Sequence, residues 1–432
     1  MECVFRCEGE VTDVKKIAIF QYEWLLQIHT LNLVVGLVRS GHHVDLFLVN
    51  CERKFADLTP LAGLPGVTVY DFSYEHFLIS AAERTIGRRQ VRKDSAVLPE
   101  MVRRAAEIVR KGTYACCIGI EKKGLIWAGK VAEITGTPVI YYSLELYLDD
   151  HLGDGDFSIF GDPGFRGLRA EEKFYHQRSA ATIIQDRQRA DALLAGNGIA
   201  ATTVLFLPVT ILGKAHRKKS YRLHDSAGVS RQMDIILNFG VIDANRRCFE
   251  LAHAARLLSP NCALVMHGYI DSDDVRLLSD KDAFPGVVLS AELVPEEELQ
   301  YLIASASVGL VFYGEEVANS RLTAFASEKL ARYLQAGVPI IACDMGNYRV
   351  LMDRFACGRL ITAMEELPAA VDTILADYGR YSDNALAAFN EIYSFDANFE
   401  KIVRFISENF SGRARTGTGN ADDKDGHDGE LS

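Results

Sequence analysis

Between residues 15 and 410 the chain alternates short apolar runs with longer segments whose apolar residues recur at helical period. The runs Lys15–Phe20, His43–Val49, Val67–Phe72, Tyr114–Ile120, Pro138–Ser143, Ala181–Gln185 and Thr203–Leu207 are short, rich in β-branched and aromatic residues, and bounded by glycine or polar residues. That is the pattern of buried strands. Helical period is read over Leu98–Arg110, Lys123–Ile134 and Arg187–Ala195, and a first helix is closed by Gly41. The alternation restarts with strand Ile235–Phe239, helix Asp243–Leu258, strands Cys262–His267 and Val287–Ser290, and helix Pro295–Ala304. Strand Leu360–Ile361, helix Met364–Asp377 and the apolar-periodic segments Asp383–Tyr393 and Asn398–Phe410 close it. Strands taking turns with helices predict an α/β chain with two doubly wound, Rossmann-like domains facing a cleft. The expected divisions are an extension 1–14, a first domain 15–210, a linker 211–230, a second domain 231–385, terminal helices 386–410 and a disordered tail 411–432, where little can be buried.

The stretch Ser307–Ala342 organises the second half. Val308–Tyr313 reads as a strand, Gly314–Ala326 as a polar loop, and Ser327 as the cap of a helix that places Leu330, Tyr333 and Leu334 on one face before Gly337 ends it. Val338–Ala342 is the next strand, with Pro339 near its start, where a missing N–H is tolerated. The loop of such a unit opens at the carboxyl end of its strand, where open α/β sheets bind ligands. Unpaired N–H groups at the helix start, with Lys329 in the first turn, make a candidate phosphate site. The plainer alternative is a cap and a solvated lysine.

Other strand ends carry candidate chemistry. Glu23, Trp24 and His29 follow the first strand, which lacks the G-x-G-x-x-G of a dinucleotide site. Trp24 as a packed ring and Glu23 as a solvated acid are the alternatives there. Glu145 follows the fifth strand among apolar residues, where a carboxylate is either exposed at the cleft or paired, because burying it alone is costly. Asp154-Gly155-Asp156 has the D-x-D form of a metal motif, but its glycine- and proline-rich surroundings make it turn chemistry. Gly213–Arg222 is basic and without period, as a solvated hinge is.

Composition narrows the picture. The 432 residues are 48% hydrophobic, enough for two cores, and the net charge of −11 gives no reason to expect a nucleic-acid partner. No apolar run is long enough to span a bilayer and Met1–Val14 has no apolar block, so a cytoplasmic protein is expected. The nine cysteines match no zinc spacing and are read as reduced core thiols. Against the overall charge, Arg84–Lys111 holds nine basic residues and three acids, a surplus of +6. This is either a solvated helix face or a weak contact with an anionic membrane, peripheral at its inner face.

The motif Ser327-Glu328-Lys329-Leu330, then Tyr333-Leu334 and Ala336-Gly337-Val338-Pro339-Ile340-Ile341-Ala342, resembles the donor segment of GT-B glycosyltransferases, particularly the retaining family 4 group. The resemblance implies that Ser327, Glu328, Lys329 and Leu330 hold a donor diphosphate. It further implies that Gly240 lets the backbone approach the diphosphate, that Arg246 meets it, and that the loop with Val294 and Pro295 seats the base. Glu145 would lie on the acceptor side, Glu315 or Glu316 with Asn319 would hold sugar hydroxyls, and the terminal helices would return to the first domain. The implied activity is transfer of a sugar from a nucleotide diphosphate sugar to a saccharide or lipid-linked acceptor, with retention and without a metal or other cofactor. Three positions depart from the family's pattern: its two glutamates fall at Ala324 and Arg332, and the arginine expected after Gly240 is Val241. A catalytically silent subunit and a sugar-nucleotide epimerase therefore stand as alternatives.

Overall fold

The computed structural model describes residues 14–23, 28–50, 61, 63–72, 90–149, 163–243, 246–270, 273–292, 294–314 and 318–410. Trp24, Arg84, Arg88, Arg89, the Asp154–Asp156 triplet, Glu315, Glu316 and the tail after Phe410 lie outside these residues, as do the side chains of Glu23, Arg92 and Lys93.

The first domain is a parallel sheet of β1 (Lys16–Glu23), β2 (His43–Asn50), β3 (Val67–Asp71), β4 (Tyr114–Ile120), β5 (Val139–Tyr142), β6 (Ala181–Ile184) and β7 (Thr203–Phe206). Its order is β3-β2-β1-β4-β5-β6-β7. The second sheet holds β8 (Asp234–Phe239), β9 (Cys262–His267), β10 (Val287–Ser290), β11 (Val308–Val311), β12 (Ile340–Cys343) and β13 (Gly358–Ile361) in the order β10-β9-β8-β11-β12-β13. All pairings are parallel. The order reverses between β1 and β4 and again between β8 and β11, which puts a crevice at the carboxyl ends of those strands. β4 and β5 are buried along their whole length, as strands covered by helices on both faces must be.

Each sheet has an apolar cluster on either face. The terminal helix Phe395–Asn409 completes one of them in the first domain, where Phe395, Phe399, Ile402 and Ile406 join Ile17, Leu33 and Ile118. Gly36 makes this possible, since a Cβ there would stand 2.5 Å from a ring carbon of Phe399. The six described cysteines are buried and joined in no disulfide among the described residues.

The structure departs from the sequence pattern at three places. The helix expected from Asp243 begins only at Cys248, because the Asp243 carboxylate accepts the Arg246 N–H at 2.8 Å and offers the backbone a turn instead. The loop Gly314–Ala326 contains the helical turns Ala318–Arg321 and Ala324–Ala326. The basic segment 213–222 is docked and does not run free through solvent. The His216 N–H donates to the Gln335 carbonyl at 2.9 Å, the Gln335 amide donates to the Leu212 carbonyl at 3.1 Å, and Arg217 pairs with Asp383. Leu223, just after it, is buried in the second domain's core.

Candidate functional site at the domain junction

On the second-domain side the site starts where β8 ends. Gly240 has φ of 111°, a region that favours glycine, and a Cβ there would lie 3.6 Å from Cε of Lys329. Gly268 lies close behind, since its Cβ would be 2.0 Å from the Gly240 carbonyl oxygen. Ser327 caps the helix Glu328–Gln335, accepting the Leu330 N–H at 3.2 Å and sharing a hydrogen bond of 2.8 Å with the Tyr313 hydroxyl. Tyr333, read from the sequence only as part of an apolar face, fastens this helix to β8. Its hydroxyl donates to the Leu237 carbonyl at 2.7 Å and accepts the Phe239 N–H at 3.0 Å, while its ring lies over Gly309.

Lys329 is not solvated. It is 7% exposed, its Nζ donates to Asn238 Oδ1 at 3.1 Å, and its pKa is pushed down to about 7, by burial first and by the Arg246 charge second. Arg246 is held by Asp243 through an ion pair. The structure thus gathers Gly240, Arg246, Ser327 and Lys329 around the carboxyl end of β8, with Glu328 and Leu330 in the same helical turn.

On the first-domain side lies the segment that leaves β5. Its backbone is bound by side chains at nearly every polar group. Gln185 donates to the Ser143 carbonyl at 2.7 Å, Glu121 accepts the N–H groups of Leu144 and Glu145 at 2.6 and 2.8 Å, and Lys122 donates to the Glu145 carbonyl at 3.2 Å. Glu121 takes this place by adopting φ of 58° directly after β4, a costly backbone for a non-glycine residue that persists only where its surroundings hold it. Glu145 itself is partly buried, and Asn319 of the second domain donates to its Oε2 at 2.5 Å. His29 completes this side. Burial lowers its pKa, while the Glu328 and Glu145 carboxylates act in the opposite sense.

The two departures from the glutamate pattern have structural uses. Arg332 is 5% exposed and grips Glu328 one helical turn earlier, with Nε and Nη2 at 2.7 and 2.6 Å from the same carboxylate oxygen. Ala324 is buried, its N–H donating to Asn347 Oδ1 at 3.0 Å and its carbonyl accepting from the Tyr393 hydroxyl at 2.7 Å. Asn319, expected to hold sugar hydroxyls, is instead committed within the protein. Its Oδ1 accepts the Leu146 N–H at 2.9 Å and an Arg189 guanidinium N–H at 3.1 Å, and its amide serves Glu145. Pro295 starts the helix Glu296–Ile303 beside β10, where His267 Nδ1 and Ser290 Oγ are 2.9 Å apart. Sequence reasoning passed over Glu121, Arg189 and Asn347. An acid immediately after a buried strand was a usable signal for Glu121; Arg189 and Asn347 offered none.

The sequence matches no protein-family model and no curated protein. Solved structures of like architecture include Anabaena HepE in complex with UDP-glucose, with a TM-score of 0.64, 16% identity, and 91% of this chain and 99% of that chain covered. Sucrose-phosphate synthase from Thermosynechococcus elongatus gives a TM-score of 0.67 at 15% identity, covering 90% and 98%. An α,α-trehalose-phosphate synthase (UDP-forming) from Burkholderia vietnamiensis gives 0.61 at 12%, covering 91% and 97%. The likeness runs through both domains, and the fold is GT-B.

Proposed function

We propose that this chain is a glycosyltransferase that moves a sugar from a nucleotide diphosphate sugar to a saccharide or lipid-linked acceptor, with retention and without a metal. The observation that carries the proposal is the convergence of Gly240, Lys329 and Arg246 at the switch point of the second sheet. Burial first, and the Arg246 charge second, hold Lys329 back from ionising, and a diphosphate arriving beside Gly240 favours its charged form. As the bond between the anomeric carbon and the diphosphate oxygen breaks, its electron pair stays with the diphosphate, and Lys329, Arg246 and the helix start stabilise that charge. The acceptor hydroxyl adds to the same face, and its proton leaves with the departing phosphate oxygen. Glu145 stands on the acceptor side. UDP-glucose, bound by HepE, is the first donor to test.

Incubation with labelled UDP-, GDP- and ADP-sugars decides among the readings. Slow release of sugar supports the transferase, binding without turnover a silent GT-B subunit, and interconversion of sugars without an acceptor an epimerase. Lys329→Ala should lower turnover at least tenfold, which corresponds to about 1.4 kcal/mol or more, and shrink nucleotide-dependent thermal stabilisation in parallel. Unchanged nucleotide binding by the folded variant would remove Lys329 from the site.

Weak, reversible contact with an anionic membrane belongs to the same proposal, with a cytoplasmic location. Among the described residues no helix is long and apolar enough to cross a bilayer. In the helix Gln90–Lys111, Arg103 pairs with Glu100 and Glu107, and Arg104 with Glu100. The charges to reverse are Arg88, Arg89, Arg92 and Lys93. Sedimentation with anionic vesicles at low salt should be lost at high salt and on their replacement by Glu. Equal binding to neutral vesicles, or binding to neither, rules the contact out.

A further inference from the structure

Glu145 belongs to the first domain, yet the group that turns its carboxylate belongs to the second. Asn319 reaches across the junction with both ends of its amide engaged, and the partners settle which end is which. Oδ1 faces two donors, the Leu146 N–H at 2.9 Å and Arg189 Nη2 at 3.1 Å, so Nδ2 must face Glu145 Oε2 at 2.5 Å. Arg189 is 1% exposed and holds the junction from beneath. Its Nε donates to Gln185 Oε1 at 2.6 Å, and its Nη2 to the Leu144 carbonyl at 2.5 Å in the first domain. Its Nη1 donates to the Leu322 and Asn319 carbonyls at 2.9 and 3.5 Å in the second. One guanidinium therefore fixes, at once, the backbone before Glu145 and the backbone that presents Asn319. Asn347 adds a parallel tie, donating to Asp186 Oδ2 at 2.9 Å.

We propose that Arg189 and Asn319 form a positioning relay that couples domain arrangement to the acceptor side of the site: Glu145 takes its working orientation only while Asn319, held by Arg189, is docked against it. The relay rests on the glycosyltransferase reading for its purpose but not for its existence. It explains why Asn319 is spent on the protein and why Glu121 accepts a strained backbone to hold the N–H groups of Leu144 and Glu145. The backbone of Leu144 and Glu145 is held by the first domain, the Leu146 N–H and the Glu145 carboxylate by Asn319 of the second. Among the described residues, the charged and titratable groups that bear on Glu145 include Arg189, His29, the Tyr313 hydroxyl, Lys122 at its carbonyl and the Glu121 carboxylate at its N–H.

Hydrogen–deuterium exchange on the full chain reads the relay without any substrate. Arg189→Lys keeps the charge, but a single ammonium cannot span Leu144, Leu322 and Asn319. Exchange in residues 144–148 and 318–323 should rise at least tenfold in this variant, and in 144–148 in Asn319→Ala, with residues 234–240 unchanged. Asn319→Asp keeps an oxygen toward Leu146 and Arg189 but sets a second carboxylate against Glu145, and the two then share a proton. The acid limb of donor turnover should move up by at least one pH unit, with UDP affinity within twofold of the parent. Unchanged exchange in 144–148 in both Arg189→Lys and Asn319→Ala, or an unmoved acid limb in Asn319→Asp, overturns the relay. A parent chain that binds no UDP-, GDP- or ADP-sugar removes the glycosyltransferase reading instead, while the exchange result still decides the relay.

Discussion

Lys329→Met removes a buried amine while keeping much of its shape, and its effect on stability has a sign that depends on pH. The Lys329 pKa in the folded protein is about 7. In the unfolded chain it is about 10.4. Below pH 7 the lysine is charged in both states, and folding carries the full cost of burying that charge, about 4–5 kcal/mol from the two pKa values. Between pH 7 and 10 the unfolded chain binds more protons than the folded one, so rising pH stabilises the fold and the cost fades. The methionine variant has no such dependence. Its loss of the bond to Asn238 Oδ1 shifts its stability by about 1–3 kcal/mol at every pH alike. The parent should therefore gain about 2 kcal/mol on the variant from pH 7 to pH 9, or about 4–8 °C in relative Tm for a domain of this size. Calorimetry at pH 6, 7, 8 and 9 measures it. Bound diphosphate would hold Lys329 in its charged form, so nucleotide affinity should fall above pH 7 and binding should take up a proton, seen as a buffer-dependent heat in titration calorimetry. Parallel stability curves for parent and variant, with no proton uptake by the parent, would refute the buried-lysine account.

Arg332→Glu sets a second acid beside Glu328 in place of a cation that is 5% exposed. A loss of about 2–4 kcal/mol in urea unfolding is expected, partly recovered by the swap Glu328→Arg/Arg332→Glu; a neutral outcome would show that the pair does not hold the helix start. Gly36→Val drives a side chain into Phe399, 2.5 Å from the Cβ position, and should cost about 1–3 kcal/mol. Adding Phe399→Leu should return part of it, and an unchanged Tm in Gly36→Val would contradict the docking of the terminal helix on the first domain.

The sequence by itself determined the elements and their class. Strands Tyr114–Ile120, Cys262–His267 and Val287–Ser290 fall at the bounds their apolar runs suggest, and Ser327 and Gly337 cap the helix between them as their residue types require. One restart of the same alternation was enough for two doubly wound domains. These properties are local: periodicity, caps and glycine are written in neighbouring residues. Tertiary structure alone decided which of the polar groups meet and how deeply they are buried. Glu145 and Asn319 meet across 174 positions of sequence, and nothing near either one announces the other. Lys329 is readable from sequence as a phosphate-site candidate or as a solvated helix-start lysine; its burial beneath β8 and Tyr313, which lowers its pKa, is set only by the tertiary structure. Arg189 is one polar position on a short helix, indistinguishable in sequence from a residue in water, because a guanidinium's partners are set by where the second domain comes to rest. Local pattern fixes what each segment can bury; which polar groups share the junction depends on long-range packing, and that is where this site is made.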